Sequence, residues 1–284
     1  MRWRRSAPRR TFRLVVACGL LVGTVSSPAA DRLPGYLGEG EFDVTTILEP
    51  APQAGDPRYD TDRKIFRSTR ALAGTPRWAL ATSDANESTA SLLKDFSCSV
   101  GVTLIPENAP ALVRVALRAN TDTATRSAKA KEFYKRQRPF LIDKGAICQP
   151  RSELFDTKAG RASYDYPSGH TTRGWTWALV LAAIAPDRAE AILRRGRAYG
   201  DSRFVCGAHN ESAVEAGILS ASSTMAVVST KPAYQVDIAA ARAELVSLRQ
   251  TGSAPAGCEA EAALLDARVM PKLDRVRRPG TERP

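Results

Sequence analysis

The sequence predicts an all-α protein built as a single helical domain. Hydrophobic residues make up 43% of its 284 residues, which is enough for a full core. Alanine is abundant, and apolar residues recur at helical spacing through long stretches of the chain. Prolines preceded by small or polar residues, as in Thr75-Pro76, supply helix starts at several places. These three observations together favour a bundle of helices.

The first 30 residues have the features of an export signal. Six arginines accompany an apolar run at 14–25, and small residues follow at 27–30. The run is too short to span a bilayer, which takes about 20 residues. We therefore expect cleavage near Asp31 and a periplasmic or secreted mature protein. Arg9-Arg10 also resembles a twin-arginine signal, and an ordinary Sec signal with an arginine-rich head is the alternative.

Much of the chain's basicity belongs to this signal. The net charge is +11, and the six arginines of residues 1–30 account for six of those charges, which leaves +5. That excess favours anionic substrates by electrostatic steering, although an ordinary solvated surface with a basic tail explains it equally well. Nucleic-acid binding is not predicted, because no motif supports it.

The rest of the chain divides into three parts. Residues 31–58 are rich in proline, glycine and aspartate and are expected to be extended over the surface. Residues 59–268 are predicted to form the helical domain, and the polar, basic tail at 269–284 is expected to be disordered. The predicted helices cover 59–72, 76–81, 92–98, 110–136, 169–185, 192–199, 209–228, 232–248 and 259–269.

The most apolar internal run, Trp175–Ala185, is predicted to be a core helix. Its 11 residues cannot cross a bilayer, so no integral membrane segment is expected after signal cleavage. The long connection at 140–165 is expected to be functional, as loops of that length in compact domains often are. A homo-oligomer is left open by the sequence.

Three short segments concentrate residues suited to binding a small oxyanion. They run from Lys131 to Arg138-Pro139, from Tyr166 to His170, and from Ser202-Arg203 to His209. The two histidines of the chain both lie in these segments. Lysine supplies a point charge and each guanidinium supplies a planar fork. Ser168 is placed to cap a helix, where free N–H groups bind anions.

The order and spacing of these residues resemble the signature of the type 2 phosphatidic acid phosphatase superfamily. That signature has Lys, six residues, Arg-Pro; then Pro-Ser-Gly-His; then Ser-Arg, five residues, His, three residues, Asp. The chain is most similar to the secreted class A bacterial non-specific acid phosphatases, most clearly over residues 122–217. The resemblance implies the helical bundle shared with vanadium haloperoxidases. One position departs from it, because Ala213 stands in the place of the final Asp.

The resemblance also implies a role for each residue. His209 would be the nucleophile and become phosphohistidine, and His170 would be the general acid. The implied phosphate ligands are Lys131, Arg138, Ser168, Gly169 and Arg203. The partners implied are small phosphomonoesters and inorganic phosphate. No cofactor and no metal is expected, since the cations neutralise the phosphate and no Cys/His spacing suggests zinc. Arg203 could instead form an ion pair with Asp165 or Asp201.

The departure at Ala213 leaves three functions open. In the family that Asp accepts the second N–H of the nucleophile; Ser212 or a backbone carbonyl is the substitute predicted here. On this basis Ala213→Asp is expected to raise kcat. The leading function is a metal-independent acid phosphatase, with possible phosphate transfer to alcohols. The alternatives are a vanadate-dependent haloperoxidase and a degenerate phosphate-binding protein with little turnover.

Four cysteines follow the signal, namely Cys98, Cys148, Cys206 and Cys258. An even number in an exported protein favours two disulfides. Cys148 and Cys206 flank the signature segments, which favours their pairing and leaves Cys98 with Cys258. Free buried thiols are the alternative.

Overall fold

The computed structural model describes Met1 and residues 33–272. Apart from Met1, the predicted export signal lies outside these residues, as does the tail from residue 273 onward. The predicted all-α class is confirmed over the described part. Its α-helices are α1 Pro57–Thr69, α2 Pro76–Ser83, α3 Thr89–Val100, α4 Pro110–Tyr134, α5 Gly169–Ile184, α6 Ala189–Cys206, α7 Glu211–Val228, α8 Pro232–Thr251 and α9 Cys258–Leu265.

Local sequence explains most of the helix ends. Proline occupies the first turn of α1, α2, α4 and α8, where its missing N–H costs nothing. The side chain of Thr75 accepts a hydrogen bond from the backbone N–H of Trp78 and caps α2. Gly207 ends α6 in the left-handed conformation, with φ 79°. The chain can therefore turn sharply between α6 and α7.

Helix α5 lies at the centre of the bundle, packed against α4, α6 and α7. Trp177, Val180 and Leu181 on this helix are fully buried, as expected for a helix that is apolar on most of its circumference. Its first turn, which carries His170, is thereby fixed in the protein interior. None of the described helices, α5 included, combines the length and the apolar character that spanning a bilayer requires.

Two regions differ from what the sequence predicts, one in secondary structure and one in burial. The connection at 140–165 contains a two-stranded antiparallel ribbon, in which β1 (Phe155–Asp156) pairs with β2 (Arg161–Ala162). The segment at 31–58 was expected to lie over the surface. Instead Val44 and Leu48 are buried in one apolar cluster with Tyr166 and Ala213, so this segment is anchored beside the site.

The two helices that carry site cations also end elsewhere than predicted. Helix α4 stops at Tyr134, because Lys135 adopts a left-handed backbone with φ 49°. Arg138 is extended (φ −70°, ψ 151°), as Pro139 requires of the preceding residue. Lys131 and Arg138 therefore do not share one continuous helix. Helix α6 runs on to Cys206, so Arg203 lies within a helix.

Both disulfide pairs that the sequence favoured are present. Cys98 and Cys258 are joined with an S–S distance of 2.03 Å, and Cys148 and Cys206 with one of 2.13 Å. The backbone N–H of Cys148 also donates to the carbonyl of Cys206 at 3.1 Å. The second disulfide therefore ties the connection at 140–165 to the end of α6.

Candidate active site

A cavity of about 350 Å³ gathers most of the predicted site residues. Its lining includes Lys131, Arg138, Gly169, His170, Arg203 and His209. Ser168 is the exception, because it is fully buried and outside the lining. Its hydroxyl oxygen accepts hydrogen bonds from Thr171 N at 3.2 Å and Thr171 Oγ1 at 2.9 Å. Ser168 therefore caps α5 as predicted, which orients the free N–H groups of the first turn.

Five parts of the fold converge on this cavity. Lys131 comes from the last turn of α4, Arg138 from the extended chain before Pro139, His170 from the start of α5, and Arg203 from the last turn of α6. The turn between α6 and α7 adds His209. A Cβ atom at Gly169 would lie 3.3 Å from Lys131 Cε. Glycine at this position therefore lets the lysine approach the first turn of α5.

The ring of His209 is buried and held from both sides. Its Nδ1 lies 2.8 Å from the backbone carbonyl of Asp165 and 3.0 Å from Asp165 Oδ1. Its Nε2 lies 3.0 Å from Arg138 Nη1. Burial lowers the pKa of His209 well below its usual value, and the charges of Arg138 and Lys131 lower it further. Both causes favour the neutral ring, which is the form that can act as a nucleophile.

The ring of His170 also lines the cavity and faces two acceptors. Its Nε2 is 2.5 Å from the backbone carbonyl of Asp84, and its Nδ1 is 3.0 Å from Glu87 Oε1. Stacking on Tyr199, with ring centroids 4.8 Å apart, fixes its plane. Burial and the charge of Arg203 lower the pKa of His170, while Glu87 opposes this. An imidazolium donating to both acceptors suits a general acid.

Glu87 is a site residue that the sequence did not reveal. It lines the cavity beside His170, on the connection between α2 and α3. Its side chain is 45% exposed at the rim of the cavity. Partial desolvation opposes its ionisation, but the charge of His170 and the hydrogen bond to it lower the pKa of Glu87 to about 2. Glu87 is therefore a carboxylate at working pH, placed against the acid group. No motif surrounds it that would have marked it.

The three predicted cations differ in how firmly they are held. Arg138 donates to Ser163 O and Ser163 Oγ at 2.7 Å each and to Ala208 O at 2.8 Å. Lys131 Nζ donates to Tyr164 O at 2.5 Å, and burial followed by the charge of Arg138 lowers its pKa to about 7. Arg203 donates to Gln149 through Nη2, whereas its buried Nε and Nη1 have no protein partner. That free edge of the guanidinium fits an oxyanion.

The predicted substitutes for the missing carboxylate turn out differently. Ser212 does not contact His209; its hydroxyl lies 2.6 Å from Asp62 and 2.7 Å from Arg136. The backbone-carbonyl alternative is realised by Asp165, whose carboxylate reaches the same nitrogen. Neither ion pair considered for Arg203 is formed: Asp201 pairs with Arg197 at 2.8 Å, and Asp165 contacts His209 and Asn210.

Asp165 belongs to a buried polar layer that sequence reasoning missed. Its carboxylate lies 3.6 Å from Arg136, which also pairs with Asp62 at 2.6 Å. Asn210 donates to it from both its backbone and its side chain. One signal was available in the sequence. Asp165 stands directly before Tyr166, at the start of the motif, in a chain that lacks the expected aspartate at 213. Among residues 33–272, no three His, Cys, Asp or Glu side chains converge as metal ligands.

Comparisons with known proteins agree with this geometry. A family model described as the PAP2 superfamily matches residues 111–236, which include all three signature segments. An acid phosphatase of Zymomonas mobilis is 36% identical over 252 residues, or 87% of this chain and 94% of that protein. A non-specific acid phosphatase of Salmonella typhimurium is 37% identical over 235 residues, covering 82% and 91%. One from Providencia stuartii is 33% identical over 212 residues, covering 74% and 83%.

Proposed function

Because the chain belongs to the PAP2 superfamily and is an acid phosphatase, we propose that it hydrolyses small phosphomonoesters through phosphohistidine at His209. The observation that carries this proposal is the placement of His209, which lines a cavity with three cations and has its Nε2 3.0 Å from Arg138 Nη1. A transferring phosphoryl group spreads charge over three equatorial oxygens, so catalysis is mostly positioning and charge stabilisation. Lys131, Arg138 and Arg203 supply that stabilisation.

In the first step the Nε2 lone pair of His209 attacks phosphorus. The N–P bond forms as the P–O bond to the alcohol breaks, and His170 donates its proton to the departing oxygen. Arg138 Nη1, which donates to Nε2 at 3.0 Å, then turns its N–H to a phosphate oxygen. The unpartnered edge of Arg203 binds a second oxygen. Free N–H groups in the first turn of α5 face the same anion.

In the second step water replaces the histidine. Neutral His170 accepts a proton from water as the water oxygen attacks phosphorus, and the P–N bond to His209 breaks. Inorganic phosphate leaves, and both rings return to their starting forms. An alcohol in place of water would yield a new phosphomonoester, so phosphate transfer belongs to the same scheme.

One assay tests this proposal against its alternatives. The purified protein is expected to hydrolyse p-nitrophenyl phosphate equally with and without EDTA. Vanadate-dependent oxidation of bromide, without hydrolysis, would instead indicate a haloperoxidase. Tight binding of inorganic phosphate without either reaction would indicate a degenerate binding protein.

The pH dependence should have an alkaline limb set by Lys131. Its pKa is lowered to about 7, so the lysine is cationic below that pH and neutral above it. We expect kcat/KM to fall above pH 7 by up to about tenfold per pH unit, since kcat/KM follows the free enzyme. Lys131→Arg keeps its charge at every working pH, so its alkaline limb should move to higher pH.

The matched control is Lys129→Arg, on the same helix. Lys129 is exposed and pairs with Asp43 at 2.6 Å, so its pH profile should equal that of the wild type. An alkaline limb that stays in place in Lys131→Arg would show that another group sets it.

His170→Ala should discriminate between substrates by leaving group. A general acid matters most when the departing oxygen is basic. We expect kcat to fall by about 10²–10⁴-fold on an alkyl phosphate but far less on p-nitrophenyl phosphate. Equal losses on both substrates would mean that His170 binds phosphate and does not transfer a proton.

We also propose that the chain consists of four parts, at residues 1–30, 31–58, 59–268 and 269–284. The first is an export signal of the Sec or twin-arginine type. The two disulfides support an exported protein, since disulfides form and persist in oxidising compartments. The intact mass of protein recovered from periplasm or medium tests this, and retention of Met1 there would refute cleavage.

A further inference from the structure

Resting on the proposed function, we propose that Asp165 is the carboxylate that orients His209, in place of the residue at 213. The contacts of the His209 ring determine its tautomer. Its Nδ1 faces the backbone carbonyl of Asp165 at 2.8 Å, and a carbonyl can only accept, so Nδ1 carries the proton. Its Nε2 faces a guanidinium N–H of Arg138, which can only donate. The lone pair therefore lies on the cavity side.

The carboxylate of Asp165 supplies a charge that its backbone carbonyl cannot. When Nε2 bonds to phosphorus, the ring gains positive charge. Asp165 Oδ1, 3.0 Å from Nδ1, places a full negative charge against that side of the ring, where a carbonyl offers only a dipole. Buried charge pairs act in a low effective dielectric, so this contact stabilises the phosphohistidine state more than the neutral ring.

The carboxylate of Asp165 is held in place by burial and by several hydrogen-bond donors. The side chain of Asp165 is 0% exposed. Besides His209, it accepts from Asn210 N at 3.1 Å and Asn210 Nδ2 at 2.7 Å, and Arg136 Nη1 lies at 3.6 Å. Asn210 cannot rotate its amide freely, because its oxygen accepts from Arg63. Each of these partners is a donor, so together they hold the accepting side chain of Asp165 in one position.

The residue at position 213 takes part in apolar packing. Ala213 is fully buried in an apolar cluster with Val44, Leu48 and Tyr166. Its carbonyl accepts from Ser168 N at 2.8 Å, which keeps this part of α7 against the start of α5. The orienting carboxylate has thus moved from α7 to the segment before Pro167. Asp165 acts through His209 and is a positioning residue.

The test replaces Asp165 with Asn, which keeps the size but presents an amide to partners that are all donors. We expect kcat to fall by about 10²–10⁴-fold, because a wrong orienter in a comparable triad costs up to about 10⁴. The affinity for vanadate should stay within about threefold of the wild type, since the cations are unchanged. The acid limb of the rate profile should move to lower pH, because losing an anion lowers the pKa of His209.

A second readout does not depend on turnover. The chain holds two histidines, so ¹⁵N NMR of the imidazoles gives a simple spectrum. His209 should be protonated on Nδ1 in the wild type and show a mixed or Nε2-protonated ring in Asp165→Asn. Asp201→Asn, which removes a carboxylate outside the cavity, should match the wild type in both readouts. If Asp165→Asn does not fold, Asp165→Ser removes the carboxylate without adding a donor of that size and should give the same losses.

Two outcomes would overturn the proposal. Near-wild-type kcat with an unchanged tautomer would mean that the backbone carbonyl is sufficient. Loss of kcat together with loss of vanadate binding, in a ring still protonated on Nδ1, would mean that Asp165 only shapes the cavity. Failure of the proposed function is separable, because wild-type protein would then form no phosphoenzyme while the NMR comparison would still report on Asp165.

Discussion

Replacing His209 with alanine is expected to abolish turnover, with kcat falling by at least about 10⁴-fold, as for other removed nucleophiles. The variant loses the ring nitrogen that lies 3.0 Å from Arg138, in a residue that lines the cavity together with three cations. Water would then have to attack the ester directly. The measurements are kcat on p-nitrophenyl phosphate and the amount of acid-labile phosphoenzyme trapped by an alkaline quench during turnover. Both should drop to background.

Two controls separate chemistry from folding and binding. Vanadate affinity should change by less than about tenfold in His209→Ala, because Lys131, Arg138 and Arg203 remain and supply the charge. His170→Ala should still form phosphoenzyme from p-nitrophenyl phosphate. Normal turnover, or a phosphoenzyme of unchanged amount, in His209→Ala would place the nucleophile elsewhere.

Ala213→Asp is expected to destabilise the protein and to lower kcat, which reverses the expectation drawn from the sequence. The methyl group of Ala213 is fully buried in the apolar cluster with Val44 and Tyr166. A carboxylate there would be an uncompensated buried charge, costing about 3–5 kcal/mol in the free energy of unfolding. It would also repel Asp165, which already accepts from His209.

The pH dependence of this loss identifies its cause. Burial raises the folded-state pKa of the new carboxyl above its unfolded value, so the folded state binds its proton more tightly. The penalty should therefore be present at pH 7 and shrink as pH falls towards about 4, the unfolded pKa of Asp. Urea unfolding at both pH values measures it. Ala213→Asn, similar in size and uncharged, should show no such dependence. A stable Ala213→Asp variant with higher kcat would show that α7 accepts the carboxylate.

The parts of the fold that the sequence predicted well depend on local chemistry. Thr75 with Pro76 starts α2, because a capping side chain and a first-turn proline favour that backbone conformation by themselves. The extension of α6 to Cys206 was missed because it depends on tertiary burial: Phe204 and Val205 pack into a core cluster that residues distant in sequence complete. The ribbon at 155–162 also lacks a local signal, since each strand has only two residues.

The site divides in the same way. Lys131, His170 and Arg203 were found because their order and spacing form a motif, whatever the elements between them do. Asp165 and Glu87 were not, because each acquires its role from a partner far along the chain. Asp165 contacts His209, 44 residues away, and Glu87 contacts His170 from the α2–α3 connection. The contact between His209 and the aspartate directly before the second segment is visible only in the folded chain.

The two disulfides have a consequence for proteolysis. The exposed ribbon at 155–162 offers Lys158 to a protease, and a cut there would divide the site, with Glu87, Lys131 and Arg138 on one fragment and His170, Arg203 and His209 on the other. Cys148 lies before that point and Cys206 after it, and the same holds for Cys98 and Cys258. A single nick would therefore leave the fragments covalently joined, and their separation would require reduction as well as cleavage.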